Sequence, residues 1–310
     1  MLLFVVLAFA GGWLVASPLW LSGLGLKHPM TIVLLQAMMF VPGAATLLLA
    51  FWLRPETEKV RLMGLGLGSK GWWRYWLFGW LVVPCFAMAA PFVSAAFGLC
   101  TLDLREFSGF QKLLQSSGGG AALNIMPVQA LVARQMVGGL FVSVLSAPFA
   151  LGEEIGWRGY LLPKLLPLGQ WPALLLSGAL WGLWHAPVIL LGYNYPKHPV
   201  LGVFAMTAFC VILGILFGWT RLATGSIWPA VIGHGALNGS AGAMLLFSKA
   251  GTSFDALHAG ITGWSGWLLP AVWILMLLAT RRLPVAGCPD AETVGDQERK
   301  TGPETTHTEN

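Results

Sequence analysis

Residues 200–220 read VLGVFAMTAFCVILGILFGWT, an uncharged apolar run bounded by Lys197 and His198 on one side and Arg221 on the other. A helix that crosses about 30 Å of hydrocarbon needs about 20 such residues, so this stretch reads as a membrane span. Working outward by the same criterion marks further runs at about 2–24, 30–53, 73–98, 136–161, 171–192, 226–247 and 264–281. Together they predict an all-α, polytopic membrane bundle of about eight helices. Composition agrees, because 56% of the 310 residues are hydrophobic and 10% are charged, against about 45–50% and about 25% in soluble domains. That excludes an ordinary soluble enzyme, and a net charge of +5 is too small to suggest nucleic acid as a partner.

The bundle is expected to occupy residues 1–284, followed by a tail, 285–310, rich in Thr, Glu, Gly and Pro and poor in apolar groups, which predicts disorder. The first 26 residues lack a basic segment after Met1 and read as a first span rather than a cleaved signal. Basic residues set the sidedness. Arg54, Lys59, Arg61, Lys70 and Arg74 share one connection, and an even number of spans puts Lys164, Arg221, Arg281 and Arg282 on the same side. The positive-inside rule makes that side cytoplasmic, which predicts cytoplasmic termini and a place in the plasma (inner) membrane. The longest outer connection, 100–130, opens with LDLREFSGFQKLLQ (102–115), a candidate surface helix, and continues as QSSGGGAALN (115–124), which reads as flexible. Cys85, Cys100, Cys210 and Cys288 show no regular spacing and read as packing residues. His28, His198, His258 and His307 fall in loops or the tail and read as solvated.

Ionisable groups within apolar spans are costly unless paired or wet, which makes each a functional candidate. Three clusters qualify: GEEIGWRGY (152–160), WGLWHAP (181–187) and IGHGALN (232–238). Glu154 and Arg158 stand four apart and predict a same-face ion pair. Glu153 points about 100° away and is left without a local cation, able to hold water or a histidine. Pro148 predicts a bend one turn earlier. Trp181 and His185 are four apart, with the indole expected to pack beside the imidazole, and His234 and Asn238 repeat the spacing. A rise of about 1.5 Å per residue puts Glu153, His234 and His185 at depths of roughly 15, 12 and 21 Å, compatible with one cavity open to the cytoplasm. Simpler readings exist: a Glu–Arg pair can merely tie helices together, and a lone histidine can be an interhelical donor.

The three clusters, in this order on successive apolar helices, resemble the type II CAAX prenyl endopeptidases, the CPBP intramembrane proteases. The resemblance covers about residues 135–245: Glu153 and Glu154 with Arg158, then Trp181 with His185, then His234 with Asn238. Trp181 stands where Phe is common in that pattern. The resemblance implies an eight-helix fold and hydrolysis of a peptide bond near the membrane surface. It further implies Glu153 as the base that activates water, His185 assisting, His234 and Asn238 stabilising the oxyanion, and Glu154 and Arg158 holding the site in shape. The family has been described both as metalloproteases and as metal-independent glutamate proteases. Metal-independent chemistry is the favoured expectation, with a Zn2+ site of Glu153, His185 and His234 as the alternative. The expected substrate is a membrane-associated protein or peptide, with a prenylated C-terminus and bacteriocin-type peptides fitting equally. The rival readings are a noncatalytic membrane peptide-binding or bacteriocin-immunity-type protein, and a transporter that uses Glu and His as a proton relay.

Overall fold

The fold is described by a computed structural model, covering residues 1–51, 63–69 and 71–286. It is all-helical among those residues. The chain runs through α1 (Leu2–Leu21), α2 (Thr31–Phe51), α3 (Trp72–Ala96), α4 (Ser108–Ser116) and α5 (Val128–Glu154). A π-helical turn, Ile155–Leu161, carries α5 into the short α6 (Leu162–Leu165). There follow α7 (Gln170–Trp184), α8 (Ala186–Ile189), α9 (Pro199–Thr224), α10 (Trp228–Ser240), α11 (Ala243–Phe247) and α12 (Leu268–Ala279).

Helices therefore occupy the apolar runs that the sequence marks, but they do not all have the length of a span. Among the described residues five are long and apolar enough to cross a membrane: α1, α2, α3, α9 and the segment Trp228–Phe247. A sixth, Val128–Leu168, qualifies if its two parts count as one span bent by 44° between Val142 and Val144. The bend lies where the Pro148 ring meets the carbonyl four residues earlier. The expected count of eight is thus not established, because the 15 residues of α7 reach only about 22 Å. α7 stops at His185, two residues before Pro187, whose missing N–H interrupts the hydrogen-bond ladder. Outward faces are apolar, with Leu14, Leu21, Leu145 and Phe204 between 66% and 85% exposed, as lipid contact requires. The chain is a multi-pass integral membrane protein.

Two close crossings position the polar clusters. A Cβ on Gly43 of α2 would lie 2.6 Å from the carbonyl oxygen of Gly152, so α2 touches the backbone of α5 beside Glu153. On α7, a Cβ on Gly178 would lie 2.7 Å from Val211 Cα, and one on Gly182 would overlap Thr207 Cα. Backbone contact on both sides of Trp181 brings α7 and α9 together, as small residues do between membrane helices.

The outer connection is ordered rather than flexible. Asp103 accepts hydrogen bonds from the backbone N–H groups of Arg105, Glu106 and Ser108 and from the Ser108 hydroxyl. These bonds, led by the Ser108 hydroxyl, hold its carboxyl down at about 2. α4 covers part of the expected surface helix, and Phe110 buries against Val128, Leu131, Leu246 and Phe247. The glycine run resolves into a turn at Gly118 (φ 81°) and a 3-10 turn, Gly120–Asn124. The tail begins ordered: Val285 N–H donates to Gln170 Oε1, and Gln170 Nε2 returns a bond to the Val285 carbonyl. The rest of the tail, with Cys288 and His307, and the basic residues Arg54, Lys59, Arg61 and Lys70 lie outside the described residues. Of the other cysteines, Cys210 is buried as expected, Cys100 is half-buried and Cys85 is exposed.

Candidate active site

α5 delivers two adjacent carboxylates to the bundle interior, and the π turn immediately after them widens the helix so that Arg158 stays within reach. The Arg158 guanidinium donates to Glu154 Oε1 at 3.0 Å, with both side chains at most 1% exposed. His234 on α10 donates from Nδ1 to the same oxygen at 2.9 Å. Glu154 thus joins the two helices, as an acceptor for one guanidinium and one imidazole. The predicted ion pair is present; the histidine expected near Glu153 bonds to its neighbour instead.

Glu153 is held differently. It is 2% exposed, and its Oε2 accepts the indole N–H of Trp181 at 2.7 Å. That bond joins α5 to α7 and was not legible as more than packing. The indole face also carries the Arg158 guanidinium, whose carbon lies 4.2 Å from the ring centroid. The same ring meets His234 edge-on at 5.3 Å between centroids. The Trp181–His185 packing foreseen from spacing is looser, at 6.0 Å. His185 sits at the break between α7 and α8 and donates from Nδ1 to the Trp181 carbonyl at 2.9 Å. Acceptance by a carbonyl or carboxylate requires the Nδ1 proton, so both imidazoles keep Nε2 as the ring nitrogen available to a substrate or water.

A cavity of about 450 Å³, within the range of ordinary ligand sites, is lined by Glu153, Trp181, His185, His234 and Asn238. All four residues expected to act on substrate therefore share one wall, with Asn238 exposed. Glu154 and Arg158 are not part of the lining. Apolar side chains complete it, among them Met38, Met206, Leu213 and Met244. The lining runs on to Tyr193 and Asn194, between α8 and α9, and to Phe254 and Ala259–Thr262, between α11 and α12. These loops lie at the opposite end of α9 and α10 from Arg221 and Ser226. The lining thus reaches the end of the bundle opposite the one that the basic residues lead one to expect in the cytoplasm.

The loops at that end are clasped to one another. Tyr195 Oη–H donates to the Thr262 carbonyl at 2.7 Å, and His198 Nε2 lies 2.8 Å from Asp255 Oδ2. Burial pushes the Asp255 carboxyl up, but bonds from the Leu257 amide and His198 outweigh it and leave it below the usual carboxylate range. His198 is thus partnered rather than merely solvated, as are His28, which accepts from the Met30 amide, and His258, which accepts the Trp264 indole N–H.

The zinc alternative was tested on the donor set. Among the described residues no three His, Cys, Asp or Glu side chains are gathered so as to hold one ion. The metalloprotease description has no support among the described residues.

Residues 133–240 match the family described as Type II CAAX prenyl endopeptidase Rce1-like. Over that segment the chain is similar to the type II CAAX prenyl endopeptidases, as the order of its polar clusters suggests. The matched segment contains Glu153, Glu154, Arg158, Trp181, His185, His234 and Asn238. The chain is also similar to CAAX prenyl protease 2 of Methanococcus maripaludis, 27% identical over 249 residues that cover 75% of this chain and 82% of the relative. Both similarities support a protease of the type II CAAX kind, and the noncatalytic reading is not favoured.

Proposed function

We propose that the cavity hydrolyses a peptide bond of a membrane-associated protein or peptide, a prenylated C-terminus included, through water activated by Glu153. The observation that carries this reading is the separation of two neighbouring carboxylates: Glu154 is bonded to Arg158 and His234, whereas Glu153 lines the cavity with His185, His234 and Asn238. Amide hydrolysis needs a base for water, donors for the developing oxyanion and a proton for the leaving amine. Glu153 takes a proton from water as the oxygen attacks the carbonyl carbon. The oxyanion donors are the Asn238 amide and Nε2–H of His234 in its imidazolium form, whose charge is paired with the Glu154 carboxylate at Nδ1. Collapse of the tetrahedral intermediate breaks the C–N bond, and the proton returns from Glu153, with His185 assisting, to the amine.

Glu154 and Arg158 act at a distance by fixing His234. No metal ion takes a step. Cleavage by purified protein should therefore survive exhaustive chelation, and loss of cleavage that Zn2+ restores would reject the metal-independent version. The substrate is found by comparing the peptides of cells carrying wild-type protein with those carrying Glu153→Gln: a product present only with the wild type identifies it. Identical peptide sets from cells that express both proteins equally would overturn the reading.

The termini are cytoplasmic and the membrane is the plasma membrane, so Asn194 at the cavity wall faces outward. A cysteine placed at Asn194 should react with an impermeant maleimide added to intact cells. Reaction only after the cells are opened would reverse the sidedness.

A further inference from the structure

The Trp181 ring meets Glu153, Arg158, His185 and His234. It is 2% exposed, its indole N–H bonds to Glu153 Oε2 at 2.7 Å, and its face lies under the Arg158 guanidinium. Its ring edge packs on His234 and its carbonyl holds His185 Nδ1. A phenylalanine at this position could stack on the guanidinium and on His234, but it has no proton to donate. The stacking and the N–H bond are therefore separable functions of one side chain.

We infer that Trp181 is a positioning residue for hydrolysis, using its indole N–H to fix the carboxylate of Glu153 so that Oε1 is the oxygen presented to water. With Oε2 tied to α7, rotation of the carboxylate is arrested, and the base stays directed into the cavity rather than toward Arg158, whose Nη2 has no hydrogen-bond partner among the described residues. A cation on the face of the indole polarises the N–H, and linked hydrogen bonds strengthen one another. Arg158 thus reaches Glu153 through the indole while its charge is bonded to Glu154.

This inference rests on the proposed role of Glu153, and the experiment separates the two. Trp181→Phe, in the full chain reconstituted in liposomes with a prenylated tetrapeptide-tailed substrate, should lower kcat by about 10- to 100-fold, the equivalent of one hydrogen bond to a charged group. KM and the melting temperature should stay near the wild-type values. Full kcat in Trp181→Phe, or a fall explained by lost folding, would overturn the inference. A readout independent of cleavage accompanies it: the 15N-indole resonance of Trp181, assigned by its absence in Trp181→Phe, should shift in Glu153→Ala. A resonance unmoved by that substitution would show that the bond does not exist, whatever the substrate. Wild-type protein that cuts nothing while the resonance does shift would reject the role of Glu153 and leave the contact standing.

Discussion

The polar cluster inside the bundle and the clasped loops use the same chemistry to opposite ends. In both, carboxylates accept hydrogen bonds from donors on separate segments. Asp103 and Asp255 do so at the surface, where backbone amides, a hydroxyl and an imidazole shape loops that water also reaches. Glu154 does so with essentially no exposure, bonded to Arg158 and His234. Glu153 is equally buried yet bonded by a neutral indole alone among the described partners. The comparison teaches that pairing explains three of these four carboxylates as parts of the scaffold, and leaves Glu153 as the group whose position has a chemical use.

The comparison breaks most readily at Arg158. Replacing it with Ala leaves Glu154 buried without its guanidinium, and losing one partner of a buried pair costs about 3–5 kcal/mol. A thermal melt of purified Arg158→Ala in detergent should show a large fall, with His234 no longer fixed and hydrolysis lost. An unchanged melt would mean that the buried pair contributes nothing to folding. At the surface the same operation should do little. His198→Ala removes an exposed partner of Asp255, and such pairs contribute about 0–1 kcal/mol, so its melt should stay close to that of the wild type. The effect should shrink further in high salt.

Acid sharpens the contrast at Asp103. Its folded carboxyl titrates at about 2, below the ordinary value of about 3.9. The group therefore contributes stability that is fully present above about pH 4 and is lost as the pH falls toward 2. Protection of the Ser108–Ser116 helix against hydrogen exchange, relative to an unstructured peptide at the same pH, should fall across that window, and in Asp103→Asn it should already be low at neutral pH. Protection in the wild type that does not change between pH 4 and 2 would remove the role assigned to this cap.

What the sequence made legible follows from local rules. Apolar runs located the helices, and the spacing of Glu154 and Arg158 gave their ion pair, because a helix fixes which neighbours meet. The order of the three clusters carried the family resemblance. Features that need tertiary contact were not legible. The bond from Trp181 to Glu153 joins residues 28 apart, and the His198–Asp255 contact joins residues 57 apart. The glycine run at 118–120 reads as flexible from composition, but the Asp103 cap and the Phe110 contact outweigh that tendency.

The central claim is that Glu153, lining the cavity beside a Glu154 that is bonded to Arg158 and His234, activates the attacking water. It is tested most directly by the single-turnover rate of Glu153→Gln in liposomes on a peptide that the wild type cleaves. General-base catalysis contributes about 100- to 10,000-fold, so the rate should fall by that amount while the melting temperature holds. A Glu153→Gln protein that cleaves at the wild-type rate would contradict the account.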